Sequence, residues 1–178
     1  MTQRVLLTGG AGYIGSHTHV ALVDAGYEVL VLDNFSNSAR DVPSRLETVT
    51  GQAVHVIEGD VLDRALLDRV FADHDIDAVI HFAASKSVGE SMRKPLAYMQ
   101  NNIVGLVTLM QAMDAADVRR LVFSSSATVY GSAADLPIRE TAPLSYGNPY
   151  GHSKLVCEQI IEQNVASDPR WALGVLRF

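Results

Sequence analysis

The stretch Arg4–His19 constrains the fold most, because a short apolar run is followed by regularly spaced glycines and then by an apolar helical pattern. The run Val5–Leu7 predicts a buried strand, after which Gly9, Gly12 and Gly15 recur at every third position. Glycine permits a sharp turn, a close approach of backbone to a phosphate, and tight packing of the next helix. The order of strand, glycine turn and helix therefore predicts a dinucleotide site at the helix N-terminus. The alternative is a tight turn without a ligand.

Strand and helix patterns alternate along the chain, without an internal repeat. A weaker helical pattern near residues 39–49 is interrupted by Pro43, and the runs Glu28–Asp33 and Asp77–Phe82 are apolar on both faces. This pattern predicts an α/β fold, namely a doubly wound, Rossmann-like parallel sheet with helices on both faces and ligands at the carboxyl ends of its strands. The predicted strands lie near 4–8, 28–33, 53–58, 77–83, 119–125 and 172–178, and the predicted helices near 13–25, 63–73, 95–116 and 149–166.

The composition excludes several classes of partner. A length of 178 residues suits one domain, and a net charge of −6 argues against nucleic acid and anionic membrane surfaces. No apolar run approaches the ~20 residues of a membrane span, and the predicted first strand leaves no room for a signal peptide. A single cysteine, Cys157, is interpreted as a packing residue and favours a cytoplasmic location. The six histidines form no metal-binding pattern, so no metal site is predicted.

Polar residues at the predicted strand ends are the first candidates for ligand contacts. The dinucleotide fingerprint places an acidic residue ~20 residues after the glycines, and Asp33 lies close to that position. An acid there favours NAD over NADP. Its alternative role is to cap a turn. Asp60 is predicted either to accept from the adenine amino group or to cap a helix. Lys86, after the fourth strand, either faces phosphate or nicotinamide ribose or is simply solvated.

The predicted chemical centre combines a hydroxyl-rich strand end, Ser124–Thr128, with the helix that follows it. Asn148 is a candidate N-cap of that helix, and Pro149 suits its first position. Tyr150 and Lys154 are four residues apart and share one helix face. A nearby ammonium and the positive helix end both favour a phenolate, which makes Tyr150 a candidate general acid/base.

Together these segments resemble the extended short-chain dehydrogenase/reductases, and most closely the UDP-glucose 4-epimerase family. The glycine and Tyr/Lys motifs are typical of the superfamily, whereas Ala84–Ser91 and Ser124–Gly131 indicate the epimerases. The segments that carry the resemblance are Thr8–Gly15, Asp33–Asn34, Gly59–Asp60, His81–Ala84, Ser124–Gly131 and Tyr150 with Lys154.

The resemblance implies an NAD-dependent isomerase that interconverts UDP-glucose and UDP-galactose through a transient 4-keto sugar, as in galactose metabolism. It implies that Tyr150 exchanges the proton of the sugar 4-hydroxyl, that Ser126 hydrogen-bonds this oxygen, and that Lys154 holds the nicotinamide ribose. The same resemblance assigns NAD contacts to Gly9, Gly12, Tyr13, Ile14, Gly15, Asp33, Asn34, Phe35, Ser36, Asn37, Ser38, Asp60, Val61, Phe82, Ala83, Ala84, Ser85, Lys86, Asn101, Tyr150 and Lys154.

Members of that family are longer than this chain. Residues 1–178 are therefore expected to form the NAD-binding domain, ending in its sixth strand and lacking a C-terminal substrate domain. Such a chain is expected to keep NAD binding but to lose catalytic turnover. A second apolar face on helix 95–116 predicts a homodimer through this helix and helix 149–166.

Two other functions stay open. One is a related dehydratase or decarboxylase, which is disfavoured because Ala127 and Thr128 stand where those enzymes carry an acid/base pair. The other is a noncatalytic NAD-binding module.

Overall fold

The computed structural model describes residues 2–132 and 136–178, which fold around a six-stranded parallel sheet. Its strand order is β3-β2-β1-β4-β5-β6, so the first strand lies in the interior between the second and the fourth. The order reverses between β1 and β4, which is where open α/β sheets bind ligands. The strands are β1 (Arg4–Thr8), β2 (Glu28–Asp33), β3 (His55–Glu58), β4 (Ala78–His81), β5 (Arg120–Ser125) and β6 (Ala172–Arg177).

Helices cover both faces of this sheet. Leu6 packs into a core with residues of the third, sixth and seventh helices, whereas Val5 and Leu7 pack on the opposite face against the first helix. This alternation confirms the predicted doubly wound fold. The helices are α1 (Tyr13–Asp24), α2 (Val42–Thr50), α3 (Arg64–Asp73), α4 (Val88–Arg93), α5 (Pro95–Tyr98), a π-helix (Met99–Val104), α6 (Gly105–Ala115), a 3-10 turn (Ala127–Val129) and α7 (Pro149–Ser167).

Two helical predictions were wrong in detail. Pro43 does not interrupt a helix but lies in the first turn of α2, where its missing N–H removes no hydrogen bond. The predicted helix 95–116 is continuous but changes its winding, because the π-helix Met99–Val104 separates α5 from α6. The short helix α4 was not predicted.

The packing role predicted for Cys157 is confirmed. Its side chain is fully buried in the core beside α6, and its thiol lies 3.4 Å from the carbonyl oxygen of Asn102. Burial raises the pKa of the Cys157 thiol to about 12, so the group stays protonated and unreactive at neutral pH. Among the described residues, no helix is both long enough and apolar enough to cross a membrane.

Candidate active site

A cleft of about 680 Å³ opens at the carboxyl ends of the strands, where β1 and β4 lie side by side. Nearly all of the predicted site residues line this cleft, and Phe35 is the exception. Phe35 has a left-handed backbone (φ 54°), and the Arg40 guanidinium lies 5.2 Å from the centre of its ring. The lining residues that the sequence predicted are Gly9, Gly12, Tyr13, Ile14, Gly15, Asp33, Asn34, Ser36, Asn37, Ser38, Asp60, Val61, Phe82, Ala83, Ala84, Ser85, Lys86, Asn101, Ser126, Tyr150 and Lys154.

The glycine turn forms the floor of the cleft. Gly9 has a left-handed backbone (φ 70°), and a Cβ placed on it would lie 2.6 Å from the backbone nitrogen of Ala83. Gly15 packs as tightly, since its Cβ would lie 2.4 Å from the carbonyl oxygen of Gly9. A Cβ on Gly12 would meet only that same oxygen, at 3.2 Å. Two of the glycines therefore permit backbone contact within the fold, and Gly12 leaves space towards the cleft.

The N-terminus of α1 is built to receive an anion. Gly12 is its N-cap residue, no side chain caps it, and no acidic residue lies in its first turn. The first amides of a helix have no partner within the helix, and the helix dipole adds a partial positive charge there. Because Gly12, Tyr13 and Ile14 all line the cleft, these amides are placed to bind a phosphate group.

Asp33 has a structural role as well as a place in the cleft. Its Oδ2 accepts a hydrogen bond from the Ala11 amide at 2.9 Å, and its Oδ1 accepts from the Phe35 amide at 2.9 Å. Ser38 Oγ also donates to Oδ1, at 3.0 Å. The turn-capping alternative is thus part of what Asp33 does. Because each carboxylate oxygen has two acceptor sites, Oδ2 can still accept from a ribose hydroxyl.

The helix-cap alternative for Asp60 was wrong. The N-cap of α3 is Asp63, whose side chain accepts from the Leu66 amide at 2.9 Å. Asp60 instead accepts from the Leu62 amide and from the Asn34 side chain, both at 2.9 Å. These bonds fix the orientation of a carboxylate at the wall of the cleft.

Helix α7 carries Tyr150 and Lys154 into the opposite wall. Its start is fixed by Asn148, whose side chain accepts from the Gly151 amide at 2.9 Å, as the sequence predicted. Lys154 is buried, and its Nζ donates to the carbonyl oxygen of Ser124 at 2.7 Å and lies 4.8 Å from the ring centre of Phe123. Two further N–H donors of this ammonium are left for other acceptors.

The protonation of Lys154 is set by opposing effects. Burial lowers the pKa of Lys154 to about 8, and the negative charge of the neighbouring Glu158 opposes this shift. A positive charge therefore persists near neutral pH, one helical turn from Tyr150. The half-buried Tyr150 ring lies in the cleft wall and not in the helix-packing layer, which is the placement that proton exchange with a bound alcohol requires.

Ser126, at the end of β5, is the third candidate catalytic residue beside Tyr150 and Lys154. Its Oγ accepts from the Thr128 amide at 3.2 Å and lies 2.9 Å from the Thr128 hydroxyl, which donates to it. A hydroxyl that accepts two hydrogen bonds keeps its own proton as a donor. Ser126 is therefore poised to donate into the cleft that Tyr150 and Lys154 also line.

His81 supports the cleft from below. It is a packed and hydrogen-bonded residue, since it is 2% exposed and its Nδ1 lies 2.6 Å from Thr8 Oγ1. Burial, with a smaller contribution from the charge of Lys154, lowers the pKa of His81 to about 3. The folded protein thus holds this imidazole neutral.

This burial predicts a loss of stability in acid. The unfolded chain protonates His81 near pH 6.5, whereas the folded chain does so only near pH 3. His81 therefore contributes its full stability above about pH 6.5 and loses it as the pH falls towards 3, by up to ~1.4 kcal/mol per pH unit. In urea unfolding between pH 7 and 4, the variant His81→Gln is expected to show a flatter dependence of the unfolding free energy. Parallel curves for the two proteins would contradict this assignment.

Two buried residues that lie behind the cleft and support it were missed by the sequence analysis. Asn102 is buried in the π-helix, and its side chain bonds to both the amide and the carbonyl of Ser85, at 2.8 and 3.0 Å, and to Ser153 Oγ at 2.9 Å. Glu158 is buried one turn beyond Lys154. The sequence signals that could have indicated them are the pair of asparagines for Asn102 and a carboxylate on an apolar helix face for Glu158.

No group of three or more His, Cys, Asp or Glu in residues 2–132 and 136–178 could hold a metal ion.

A sequence model of the GDP-mannose 4,6-dehydratase family matches residues 6–175, nearly the whole chain. The chain belongs to this family of extended short-chain dehydrogenase/reductases. The chain is 50% identical over 175 residues to a UDP-glucose 4-epimerase of Yersinia pestis, covering 98% of this chain and 52% of the relative. The corresponding enzyme of Bacillus subtilis (strain 168) is 49% identical over 174 residues, covering 98% of this chain and 51% of the relative. The chain thus spans about half the length of the curated family members it matches.

Solved structures of the family agree with the fold. The UDP-glucose 4-epimerase of Bifidobacterium longum, in complex with NAD+ and UDP, superposes with a TM-score of 0.96 at 46% identity, over 98% of this chain and 52% of that chain. An epimerase of Stenotrophomonas maltophila with bound NAD and formylated UDP-arabinopyranose gives a TM-score of 0.96 at 45% identity, over 98% and 52% of the two chains.

Proposed function

We propose that the protein is an NAD-dependent epimerase that interconverts UDP-glucose and UDP-galactose by way of a 4-keto sugar. The observation that carries the proposal is the meeting of Ser126, Tyr150 and Lys154 with the glycine turn in one cleft. The names of the relatives and the NAD in two solved structures support it.

The residues of the cleft fit NAD. The uncapped N-terminus of α1 suits the pyrophosphate, and Gly12 leaves room for it, since a Cβ there would meet only the turn itself. Asp33 would accept from the adenosine ribose, and an acid at this point repels a 2′-phosphate, which favours NAD over NADP. Asp60 would accept from the adenine amino group. The other predicted contacts between Asn34 and Asn101, apart from Phe35, line the cleft and would contact the rest of the cofactor.

Three side chains of the cleft would take part in the reaction, two at the sugar and one at the cofactor. The Tyr150 oxygen would take the proton of the sugar 4-hydroxyl and later return it. Ser126 would donate a hydrogen bond to the oxygen of that 4-hydroxyl. The Lys154 ammonium would hold the nicotinamide ribose with one of the N–H donors that the carbonyl of Ser124 does not use. When bound, NAD would supply the acceptor, and then the donor, of the hydride at sugar C4. The keto sugar must turn over between the two transfers, so that the configuration at C4 is inverted.

A dehydratase is the second candidate, because the matching family model is described by that activity. Elimination of water needs an acid/base pair beside Ser126, and the structure places Ala127 and Thr128 there. The Thr128 hydroxyl is already bonded to Ser126. These contacts favour epimerisation over elimination.

The test is incubation of a polypeptide containing residues 1–178 with NAD and UDP-galactose in labelled water, followed by NMR of the sugar. Formation of UDP-glucose without loss of water supports the proposal. Loss of water would instead establish the dehydratase. NAD binding without either reaction, in a polypeptide as long as the curated relatives, would leave a noncatalytic module, whereas residues 1–178 alone are expected to bind NAD without turnover.

We also infer a homodimer through helices 95–116 and 149–166 and a cytoplasmic location. Leu96 is 83% exposed and Val104 is 40% exposed, so the first of these helices presents apolar side chains to the outside. The single, buried cysteine suits a reducing compartment. A light-scattering mass equal to one chain would contradict the dimer.

A further inference from the structure

Glu158 is a buried carboxylate in the wall behind the cleft. It lies on α7, one turn beyond Lys154 and two turns beyond Tyr150, and it is 1% exposed. Ser125 Oγ donates to its Oε1, and Arg177 reaches both of its oxygens, with Nε 3.0 Å from Oε1 and Nη2 2.7 Å from Oε2. The carboxylate is therefore fully engaged inside the protein.

Arg177 reaches Glu158 from the neighbouring strand. It lies in β6 directly opposite Ser125 of β5, so one pair of strands presents both partners to the same carboxylate. Its Nη1 donates to the Tyr130 hydroxyl at 2.7 Å, and its guanidinium lies 5.0 Å from the centre of that ring. A charge pair with this geometry holds its groups in fixed positions.

Ser125 lines the cleft together with its two neighbours, Ser124 and Ser126. The carbonyl of Ser124 accepts from Lys154, and the side chain of Ser126 lines the cleft. Residues on successive turns of α7 thus bind successive residues at the end of β5. Lys154 donates to the carbonyl of Ser124, and Glu158 accepts from the hydroxyl of Ser125. This arrangement sets the distance between Ser126 on the strand and Tyr150 on the helix.

Stability alone does not account for the pair. Burying two charges costs solvation energy, and apolar residues of similar size usually stabilise a core equally well or better. The hydrogen bond from Ser125 to a carboxylate, by contrast, cannot be made by an apolar side chain.

We propose that Glu158 is a positioning residue for the epimerase reaction. By binding Ser125 it holds Ser126 in line with Tyr150 and Lys154, while Arg177 neutralises its charge. Glu158 itself touches neither the sugar nor the cofactor. The inference rests on the function proposed above.

The first test separates positioning from stability. Ser125→Ala removes only the hydroxyl that Glu158 binds, and the double variant Glu158→Leu with Arg177→Met replaces the charges by apolar groups. Both are expected to fold and to lower kcat about 10- to 100-fold with little change in KM, because a small misplacement of reacting groups costs rates of this order. The control Glu28→Gln breaks an ion pair with Arg4 at the other end of the sheet and is expected to keep the wild-type kcat.

The second test needs no activity. Hydrogen exchange of the amides in 124–128 is measured on the unliganded chain and is expected to rise about tenfold in Ser125→Ala, because a bond that holds the segment is lost. Wild-type kcat in either variant, or unchanged exchange in Ser125→Ala, would overturn the inference. The rates are compared in a polypeptide as long as the curated relatives, and an inactive wild-type protein of that length would contradict the proposed function. The exchange measurement would still decide whether Glu158 holds this segment.

Discussion

Replacing Tyr150 with phenylalanine is expected to lower the rate of UDP-galactose epimerisation by about 10²- to 10⁴-fold, the usual contribution of a general acid/base. Phenylalanine keeps the ring in the cleft wall but cannot take or return the proton of the sugar 4-hydroxyl. NAD affinity is expected to change by no more than about threefold, since the glycine turn and Asp33 are untouched. Steady-state kinetics and titration calorimetry with NAD measure the two effects.

Tyr146→Phe is the matched control. Tyr146 is 52% exposed and stacks on His152 with ring centres 4.1 Å apart, so its hydroxyl is not needed for that contact. This variant is expected to keep the wild-type rate. Turnover by Tyr150→Phe within tenfold of wild type would remove Tyr150 from the reaction and leave the chemistry to another group.

Gly15→Ala is expected to destabilise the fold by roughly 1–3 kcal/mol, as overpacking does, although alanine favours helices. Its Cβ would lie 2.4 Å from the carbonyl oxygen of Gly9 and 2.7 Å from the Cα of Gly10. Both are backbone atoms, so the whole turn must move. Because that turn positions the first amides of α1, NAD affinity is expected to fall by at least about tenfold.

Gly89→Ala is the comparison for this variant. Gly89 lies in helix α4, and a Cβ there would meet nothing within 4 Å. Alanine is expected to stabilise this helix by about 0.5–1 kcal/mol, because glycine loses more conformational freedom on folding. Urea unfolding and NAD titration of both variants check the contrast. Equal stability of the two proteins would show that the turn after β1 tolerates a side chain.

The fold could be predicted because its signals are local. Strands such as Glu28–Asp33 are apolar on both faces, and their alternation with helices permits few architectures. Pro43 shows the limit of this reasoning, because one residue either interrupts a helix or begins it, and only the position of the helix start decides.

The parts of the cleft that consist of short sequence motifs could be predicted. Glycine spacing and the Tyr150–Lys154 interval fix their neighbours within one element, so they can be read from the chain. The π-helix could not be predicted, since its wider turn is stabilised by contacts of Asn102 with Ser85 and Ser153, which are distant in sequence. The same holds for Glu158, whose partners come from the end of β5 and from β6.

The interior position of β1 has a consequence for how the chain acquires its shape during synthesis. β1 to β3 can assemble early, but one edge of β1 stays without a partner until β4 has left the ribosome. An unpaired apolar strand edge is open to association with other chains. The contact that finally covers it joins distant parts of the polypeptide, and such contacts form slowly. The nucleotide cleft therefore cannot form before this edge is protected.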